Sequence, residues 1–289
     1  MGLHAGARGR LLAATFLVAW AAGCGGGGGG SEALPAPPPP PAPQVVDWGD
    51  FPSAAVVIGK QNFDDGDFPA DGTSDTELNF PDGSPAVSSD GRLFVAEAGA
   101  AQLKVFDNYT AGNGPAASFT FSVDGNGDPA GVSIHGEKLV VVEDHLVAIY
   151  DTVLTGPPEA GPDAFVGGGT PGCLADRLRD PRAAYITPRG QLVVADTLNH
   201  RVLIWNSIEG GGLLGDADIV LGQKTKTTCA RNGSLETGES GPPSAATLNE
   251  PSSVWSDGDK LIVTDRANHR VLIWDEFPTT DFEEADHVI

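Results

Sequence analysis

The sequence predicts an all-β fold built from repeated four-stranded units. The clearest repeat is residues 181–206, PRAAYITPRGQLVVADTLNHRVLIWN, which returns about 70 residues later at 251–275 as PSSVWSDGDKLIVTDRANHRVLIWD. Each copy holds three short runs rich in β-branched and aromatic residues, separated by turn-forming residues, which is the pattern of consecutive antiparallel strands. A fourth apolar run follows each copy and completes the unit.

The three runs of the first copy are residues 183–187, 191–195 and 201–205. Residues 188–190, Pro-Arg-Gly, form a tight-turn segment in which glycine can take positive φ, so the first two strands are predicted to form a hairpin. The second copy is one residue shorter, and we place the difference in this turn because loops absorb changes of length.

Each copy carries an aspartate at the end of its second strand and Asn-His-Arg before its third. Asp196 can therefore pair with Arg201 across the turn, as Asp265 can with Arg270, and the asparagine can cap backbone groups. Because the feature repeats, we interpret it as architecture rather than as an active site. The same argument makes the histidines of the triplets, His200 and His269, structural residues rather than metal ligands.

Two weaker copies lie upstream and keep the acidic residue in register. The register residues are Glu97, Glu143, Asp196 and Asp265. The predicted outer strands are 117–122, 163–167, 218–222 and 286–289. Four strands in a unit of roughly 45 to 70 residues are typical of β-propeller blades. The predicted blades are about 81–122, 129–167, 181–222 and 251–289.

The two strong copies resemble bacterial NHL repeats. The resemblance rests on VADTLNHRVLIW at 194–205, its counterpart at 263–274 and IVLGQ at 219–223, and it extends from about Ala54 to the last residue. It is looser in the first two copies, which lack the Asn-His-Arg triplet. NHL-repeat proteins are β-propellers, usually six-bladed, and most are binding platforms. The resemblance therefore implies a non-catalytic binding protein, with a metal-dependent lyase or lactonase-like hydrolase acting in the central channel as the alternative.

The first 23 residues are predicted to be a signal peptide. Arg8 and Arg10 precede an apolar run that is too short to span a bilayer. Small residues before Cys24 resemble a bacterial lipobox, which implies cleavage there and lipidation of the Cys24 thiol; an ordinary signal peptide with a chance cysteine is the alternative. Gly25 fits the pattern for sorting to the outer membrane. We therefore expect an exported, lipid-anchored protein, because more than one acyl chain gives stable anchoring.

Residues 24–44 are predicted to be a tether. A glycine tract is followed by a run with seven prolines at 35–43. Glycine tracts behave as flexible coils, and a polyproline run of this length makes a semi-rigid spacer of roughly 30 Å. The propeller is then assigned to residues 45–289.

The composition makes nucleic acid an unfavourable partner. The chain has 39 acidic and 17 basic side chains and a formal net charge of −22. An acidic surface repels the phosphate backbone at long range. The predicted partners are a protein, a peptide or a glycan at the cell envelope.

No sequence motif identifies a catalytic or metal site. The chain contains no Gly-x-Ser-x-Gly, His-Glu-x-x-His, phosphate-loop or Cys-x-x-Cys pattern. Residues 124–128, DGNGD, begin like a calcium loop, but Pro129 stands where glycine is needed and His135 where glutamate is needed. We predict no catalytic residue, no metal ligand and no cofactor, with weak calcium binding at acidic loops left open.

Four other residues are candidates for a role. Cys173 and Cys229 lie in loops after neighbouring outer strands and could form a disulfide in an oxidising compartment, if the loop geometry brings them together. Tyr185 and Trp255 occupy matched positions on innermost strands, where propeller ligands normally bind, so they are the candidate binding residues. Matched Trp205 and Trp274, by contrast, are expected to pack between blades.

The two ends of the repeat region do not match a closed ring. Residues 54–58, AAVVI, are predicted to be an additional outer strand, and residues 285–289 match 217–221, which lead into another blade. We therefore expect a fragment or frameshifted product that lacks one or two blades. The rival expectation is that open edges pair between chains.

Overall fold

A computed structural model describes residues 54–62, 64, 74–122, 127–168, 170–233 and 239–289. The described chain is all-β, with three single-turn 3₁₀ helices. None of its helices is long and apolar enough to cross a bilayer. The all-β class and the four-stranded sheets predicted from the sequence are confirmed.

Four antiparallel sheets follow one another along the chain, each ordered from its innermost to its outermost strand. The first contains β1 (Ala86–Val87), β2 (Leu93–Glu97), β3 (Gln102–Phe106) and β4 (Phe119–Phe121). The second contains β5 (Pro129–His135), β6 (Lys138–Glu143), β7 (Leu146–Tyr150) and β8 (Ala164–Gly167). The third contains β9 (Ala183–Ile186), β10 (Leu192–Asp196), β11 (Arg201–Trp205) and β13 (Ile219–Leu221). The fourth contains β14 (Pro251–Ser256), β15 (Leu261–Asp265), β16 (Arg270–Trp274) and β17 (His287–Val288).

One strand was not expected from the sequence. β12 (Gly212–Leu213) lies in the loop between β11 and β13 and pairs in parallel with β8, so the second sheet has five strands. A two-residue strand in a glycine-rich loop has no alternating pattern that would predict it.

A short 3₁₀ helix joins the second and third strands in three sheets. These helices are Ala98–Ala100, Thr197–Asn199 and Arg266–Asn268. Each ends at a residue in the left-handed region, and in the two strong repeats that residue is His200 (φ 54°) or His269 (φ 56°). This turn sets Asp196 directly opposite Arg201 across β10 and β11, so the register itself brings the charges together.

The core lies between consecutive sheets. Alternate residues of each strand face one neighbour or the other, so strands inside the stack are apolar on both faces. Trp205 packs between the second and third sheets and Trp274 between the third and fourth, as predicted. Fully burying an aliphatic side chain such as Leu203 or Leu272 in these layers stabilises the fold by about 1.5–3 kcal/mol, so the contacts between sheets contribute much of the stability.

The prediction that residues 54–58 form a strand is wrong for the described structure: they belong to none of its sheets. The segment is nevertheless fixed through Val57, whose amide donates to Asn113 Oδ1 at 3.0 Å and whose carbonyl accepts from the Gly114 amide at 3.1 Å. A strand needs a pairing partner, as β13 has in β11, and no described strand pairs with residues 54–58.

Several expectations stay predictions. The signal peptide and tether, residues 1–44, lie outside the described residues. The blade boundaries, the number of blades in the intact protein and the fragment hypothesis are likewise untested by the described sheets.

Candidate functional site

The innermost strands of the four sheets line one groove. β1, β5, β9 and β14 contact one another in that order, and the space they enclose is about 440 Å³. Glycine is required where the first two sheets meet here: a Cβ on Gly83, whose φ is +65°, would lie 1.9 Å from the Ala130 carbonyl oxygen. Glycine at position 83 therefore allows the backbones of the first two sheets to come close together.

Tyr185 and Trp255 both line this groove. Tyr185 is the residue of β9 that pairs with Val193 of β10, and Trp255 is the residue of β14 that pairs with Ile262 of β15, so the two aromatic residues hold equivalent places on neighbouring strands. Trp255 is 46% exposed, and Tyr185 is partly buried. The structure thus places the two candidate binding residues in one concave surface, with an indole face open to solvent.

The groove is almost uncharged although the chain is strongly acidic. Among the described residues that line it, Arg182 alone is charged. Arg182 lies 3.3 Å from Asp82, in the segment that leads into the first sheet, and 3.5 Å from Asp180, two residues earlier in its own segment. Two carboxylates therefore partly neutralise its charge. Serines, the Tyr185 hydroxyl and the Trp255 indole N–H supply the other polar groups, and Ser133 Oγ donates to the Ala184 carbonyl at 2.8 Å. The lining suits a ligand that offers apolar or ring surface and few charges.

Asp196 and Arg201 pair across the turn, as predicted, and the structure adds that the pair lies in a buried polar cluster. Arg201 Nε donates to Asp196 Oδ2 at 2.7 Å, Asn199 Nδ2 donates to the same oxygen at 2.9 Å, and the Arg179 amide donates to Oδ1 at 2.8 Å. Arg201 also donates to the Leu174 carbonyl at 2.9 Å. Burial raises the pKa of Asp196, and the Arg201 guanidinium opposes that shift.

The fourth sheet repeats this cluster. Arg270 Nε and Asn268 Nδ2 donate to Asp265 Oδ2 at 2.7 and 2.8 Å, and the Asn249 amide donates to Asp265 Oδ1 at 2.7 Å. Arg270 Nη2 donates to the Thr247 carbonyl at 2.8 Å. Two equivalent clusters at two sheet ends support the structural interpretation of the motif.

The first sheet builds an equivalent cluster from different residues. Lys104 Nζ lies 3.0 Å from Glu97 Oε1, and Gln102 Nε2 donates to Glu97 Oε2 at 2.7 Å. Lys104 also donates to the Ser74 carbonyl at 2.8 Å, as Arg201 and Arg270 do to their own connecting loops. The repeat pattern does not predict Lys104, because this cation comes two residues later along its strand than Arg201 and Arg270 do.

Histidines connect consecutive sheets. His200 Nδ1 accepts a hydrogen bond from the Glu250 amide at 3.1 Å, and His145 Nδ1 accepts one from the Asp180 amide at 3.4 Å. Asp180 and Glu250 both precede a proline and have positive φ. Burial lowers the pKa of His200. The neutral His200 ring therefore accepts a hydrogen bond from a connecting residue, Glu250, that has positive φ. This contact supports a structural role for His200.

The structure joins Cys173 and Cys229 in a disulfide, with Cα atoms 6.0 Å apart. Of the other candidate sites, Cys24 and part of the 124–128 loop lie outside the described residues. Within the described part of the chain, no three histidine, cysteine or acidic side chains form a group able to hold a metal ion. Calcium binding and the metal-dependent alternative stay predictions.

Comparisons with known proteins found only distant structural similarity. No family model and no curated protein matches the chain. Among solved structures, it is similar to a chain of the mitotic checkpoint complex (12% identity, TM-score 0.46, 72% of this chain and 52% of that chain). It is also similar to the Pan2 WD40 domain of Neurospora crassa (12%, 0.44, 72% and 49%) and to a protein of unknown function from Bacteroides caccae (8%, 0.42, 71% and 59%). The chain spans about half the length of the first two structures. These neighbours include propeller-type folds, and nothing about activity follows from similarity at this level.

Proposed function

We propose that this chain is a non-catalytic binding platform of the NHL-repeat type, held at the bacterial cell envelope by lipid on Cys24. The groove lined by β1, β5, β9 and β14 takes a protein, peptide or glycan, and Tyr185 and Trp255 are its principal contacts. The observation that carries the proposal is the meeting of these two aromatic residues in one concave, nearly uncharged surface.

Aromatic rings suit all three ligand classes. A half-exposed indole offers a large rigid surface at little cost in conformational entropy, and Trp and Tyr dominate binding energy at many interfaces. The same faces can stack on the apolar side of a sugar ring. The four adjacent inner strands add backbone groups and small hydroxyl side chains, which orient a bound chain without requiring charge.

The envelope location rests on the sequence. Lipid on Cys24 would anchor the chain, and the glycine and proline tether would hold the propeller off the bilayer. Cys24→Ser tests this step by itself: the wild-type protein should fractionate with membranes, and the variant should not. Equal fractionation of the two proteins would contradict the anchor and leave the groove hypothesis standing.

Tryptophan fluorescence tests the groove. Among the tryptophans that the structure describes, Trp255 is exposed whereas Trp205 and Trp274 are buried, so a ligand in the groove should change the emission of Trp255 more than that of the other two. We would titrate the soluble Cys24→Ser protein with N-acetylglucosamine oligomers and with pools of unstructured peptides. The expected result is a saturable change that Trp255→Phe removes and Tyr185→Ala weakens roughly tenfold or more, which is the usual loss at an interface hot spot. Saturable binding that neither substitution alters would contradict the proposal.

A further inference from the structure

A second cavity lies beside the segment that joins the third sheet to the fourth. This segment, residues 222–250, is much longer than 122–128 and 168–182, which join the other consecutive sheets. Long loops on a rigid scaffold often carry binding residues. The segment and the turn at His200 border a space of about 730 Å³, the loop cavity. The loop cavity shares no lining residue with the groove of the inner strands.

The wall of the loop cavity around Arg231 is held in place by covalent and polar contacts. Cys229, two residues earlier, takes part in the disulfide. Gln223, which has no exposed surface, donates from Nε2 to the Ala230 carbonyl at 2.7 Å and accepts from the Ala230 amide at 3.3 Å. The Arg231 carbonyl accepts from the Gly241 amide at 3.1 Å. A site whose backbone is fixed before binding loses little conformational freedom when a ligand arrives.

Arg231 brings a positive charge to the loop cavity. Its side chain is exposed and lines the cavity, and it forms no ion pair with a described residue. In a chain with 39 acidic and 17 basic side chains, nearby carboxylates are the expected partners of an arginine. A guanidinium binds a carboxylate through two parallel hydrogen bonds. Arg231 therefore marks a place for the carboxylate of a ligand.

His200 offers a second donor to the same cavity. Its Nδ1 accepts from the Glu250 amide at 3.1 Å, so the proton of the neutral ring is on Nε2. This Nε2 makes no hydrogen bond with a described residue. Burial lowers the pKa of His200, and the charge of Glu250 raises it while that of Arg231 lowers it. Both charged groups are therefore close to the imidazole.

Two further polar side chains of the loop cavity have groups without a partner among the described residues. Glu250 Oε2 pairs with Arg266, whereas Glu250 Oε1 makes no hydrogen bond with a described residue. Asn249 is 7% exposed, and its side-chain amide makes no hydrogen bond with a described residue; Oδ1 is fully buried. A buried polar side chain without partners is destabilising, so Asn249 points to a partner that the fold itself does not supply.

We propose that the loop cavity binds an amino acid in its zwitterionic form. Arg231 and His200 Nε2 donate to the ligand carboxylate. Glu250 Oε1 accepts from the ligand ammonium group, and the Asn249 amide completes the polar contacts. A zwitterion matches a wall that presents both a cation and an anion, whereas Glu250 repels an anion with more than one negative charge, such as phosphate.

Calorimetry and thermal unfolding of the soluble Cys24→Ser protein test the proposal. The probes are the twenty common amino acids, added one at a time, with acetate, methylammonium and inorganic phosphate as controls that carry charge of one sign. We expect at least one amino acid to bind saturably and to raise the melting temperature. Each control should bind at least about tenfold more weakly, because it meets only part of the site.

Either of two results with these probes would overturn the proposal. One is that none of the twenty amino acids binds. The other is that acetate or phosphate binds as tightly as the best amino acid, which would identify a site for simple anions.

Substitutions then place the binding in the loop cavity. Arg231→Gln and Glu250→Gln should each weaken binding roughly tenfold or more, because each removes a charge-assisted hydrogen bond. Trp255→Phe, in the groove, is the control and should leave the affinity unchanged. Equal affinity of the wild type, Arg231→Gln and Glu250→Gln would contradict the assignment of these residues.

Asn249→Leu separates a role in binding from a role in folding. The variant should bind the amino acid at least about tenfold more weakly, while the ligand-free protein keeps or gains stability because an apolar group replaces an amide without partners. An asparagine that served the fold alone would give the opposite result, lower stability with unchanged affinity, and that result would exclude Asn249 from the site.

Discussion

Arg201 donates a hydrogen bond from Nε to Asp196 Oδ2 at 2.7 Å, and neither side chain has any exposed surface. The pair closes the turn between β10 and β11, and the same guanidinium ties down the connecting loop through the Leu174 and Arg177 carbonyls. The buried charges of Asp196 and Arg201 are tolerated because each is paired with the other and hydrogen-bonded to further polar groups.

Arg201→Ala should therefore be strongly destabilising. It leaves the buried Asp196 carboxylate without its cation, and breaking a buried ion pair costs about 3–5 kcal/mol. Urea denaturation measures the loss. The matched control is Arg189→Ala, which removes an exposed pair with Asp259 and should change stability little. Equal effects of the two substitutions would contradict the architectural role of the cluster.

Gly222→Ala tests the close approach of an outer strand to the next connecting loop. The new Cβ would meet the Leu248 side chain at 2.8 Å, and φ is +87°. Gly190 has φ +85° but open space around it, so Gly190→Ala reports the backbone cost alone. We expect Gly222→Ala to lose about 1–3 kcal/mol more than Gly190→Ala by chemical denaturation, since overpacking adds to strain. A difference near zero would mean that Leu248 moves aside freely.

We expect the free energy of unfolding to depend on pH through His200. Burial holds its folded pKa below the ordinary 6.5, so on acidification the unfolded chain takes up a proton that the folded ring resists. The contribution of His200 is present above about pH 6.5 and is lost as the pH falls toward the folded pKa. Protonated Nδ1 also cannot accept the Glu250 amide.

The measurement is the free energy of unfolding from pH 5 to 8 for the wild type, His200→Asn and His269→Asn. The wild type and His269→Asn, whose substitution is on an exposed ring, should lose stability on acidification more steeply than His200→Asn. Parallel pH profiles for the wild type and His200→Asn would contradict the assignment.

Reduction of the Cys173–Cys229 disulfide should lower stability. The bridge closes a loop of 56 residues, and in the chain-entropy model a loop of that size is worth about 4 kcal/mol. The double variant Cys173→Ser, Cys229→Ser should unfold at lower urea than the oxidised wild type and should not respond to reductant. A wild type with the same midpoint before and after reduction would contradict the prediction.

The sequence specified the parts of the fold that repeat. The Asp196 and Arg201 positions could be predicted because the register of two strands places the end of one opposite the start of the next. Lys104 could not, because the cation of the first sheet lies elsewhere on its strand while its Nζ still reaches Glu97. Residues 54–58 have the composition of a strand, but composition does not supply a pairing partner.

The sequence predicts where the candidate groove lies but not its shape or its low charge. Tyr185 and Trp255 stood out because they are unlike residues at matched places on inner strands. Their shared surface, its single charge at Arg182, and the close approach at Gly83 depend on how four sheets meet in space. No local sequence pattern predicts how the four inner strands are arranged around the groove.

We propose that a ligand occupies the groove around Trp255 in the cell envelope. Hydroxyl-radical footprinting with mass spectrometry should be performed on the protein in intact envelopes and on the purified protein. We predict that oxidation of Trp255 and Tyr185 falls in the envelope, whereas that of Phe80, which is 63% exposed and does not line the groove, stays the same. Equal oxidation of Trp255 in both settings would contradict the claim that this groove binds a ligand.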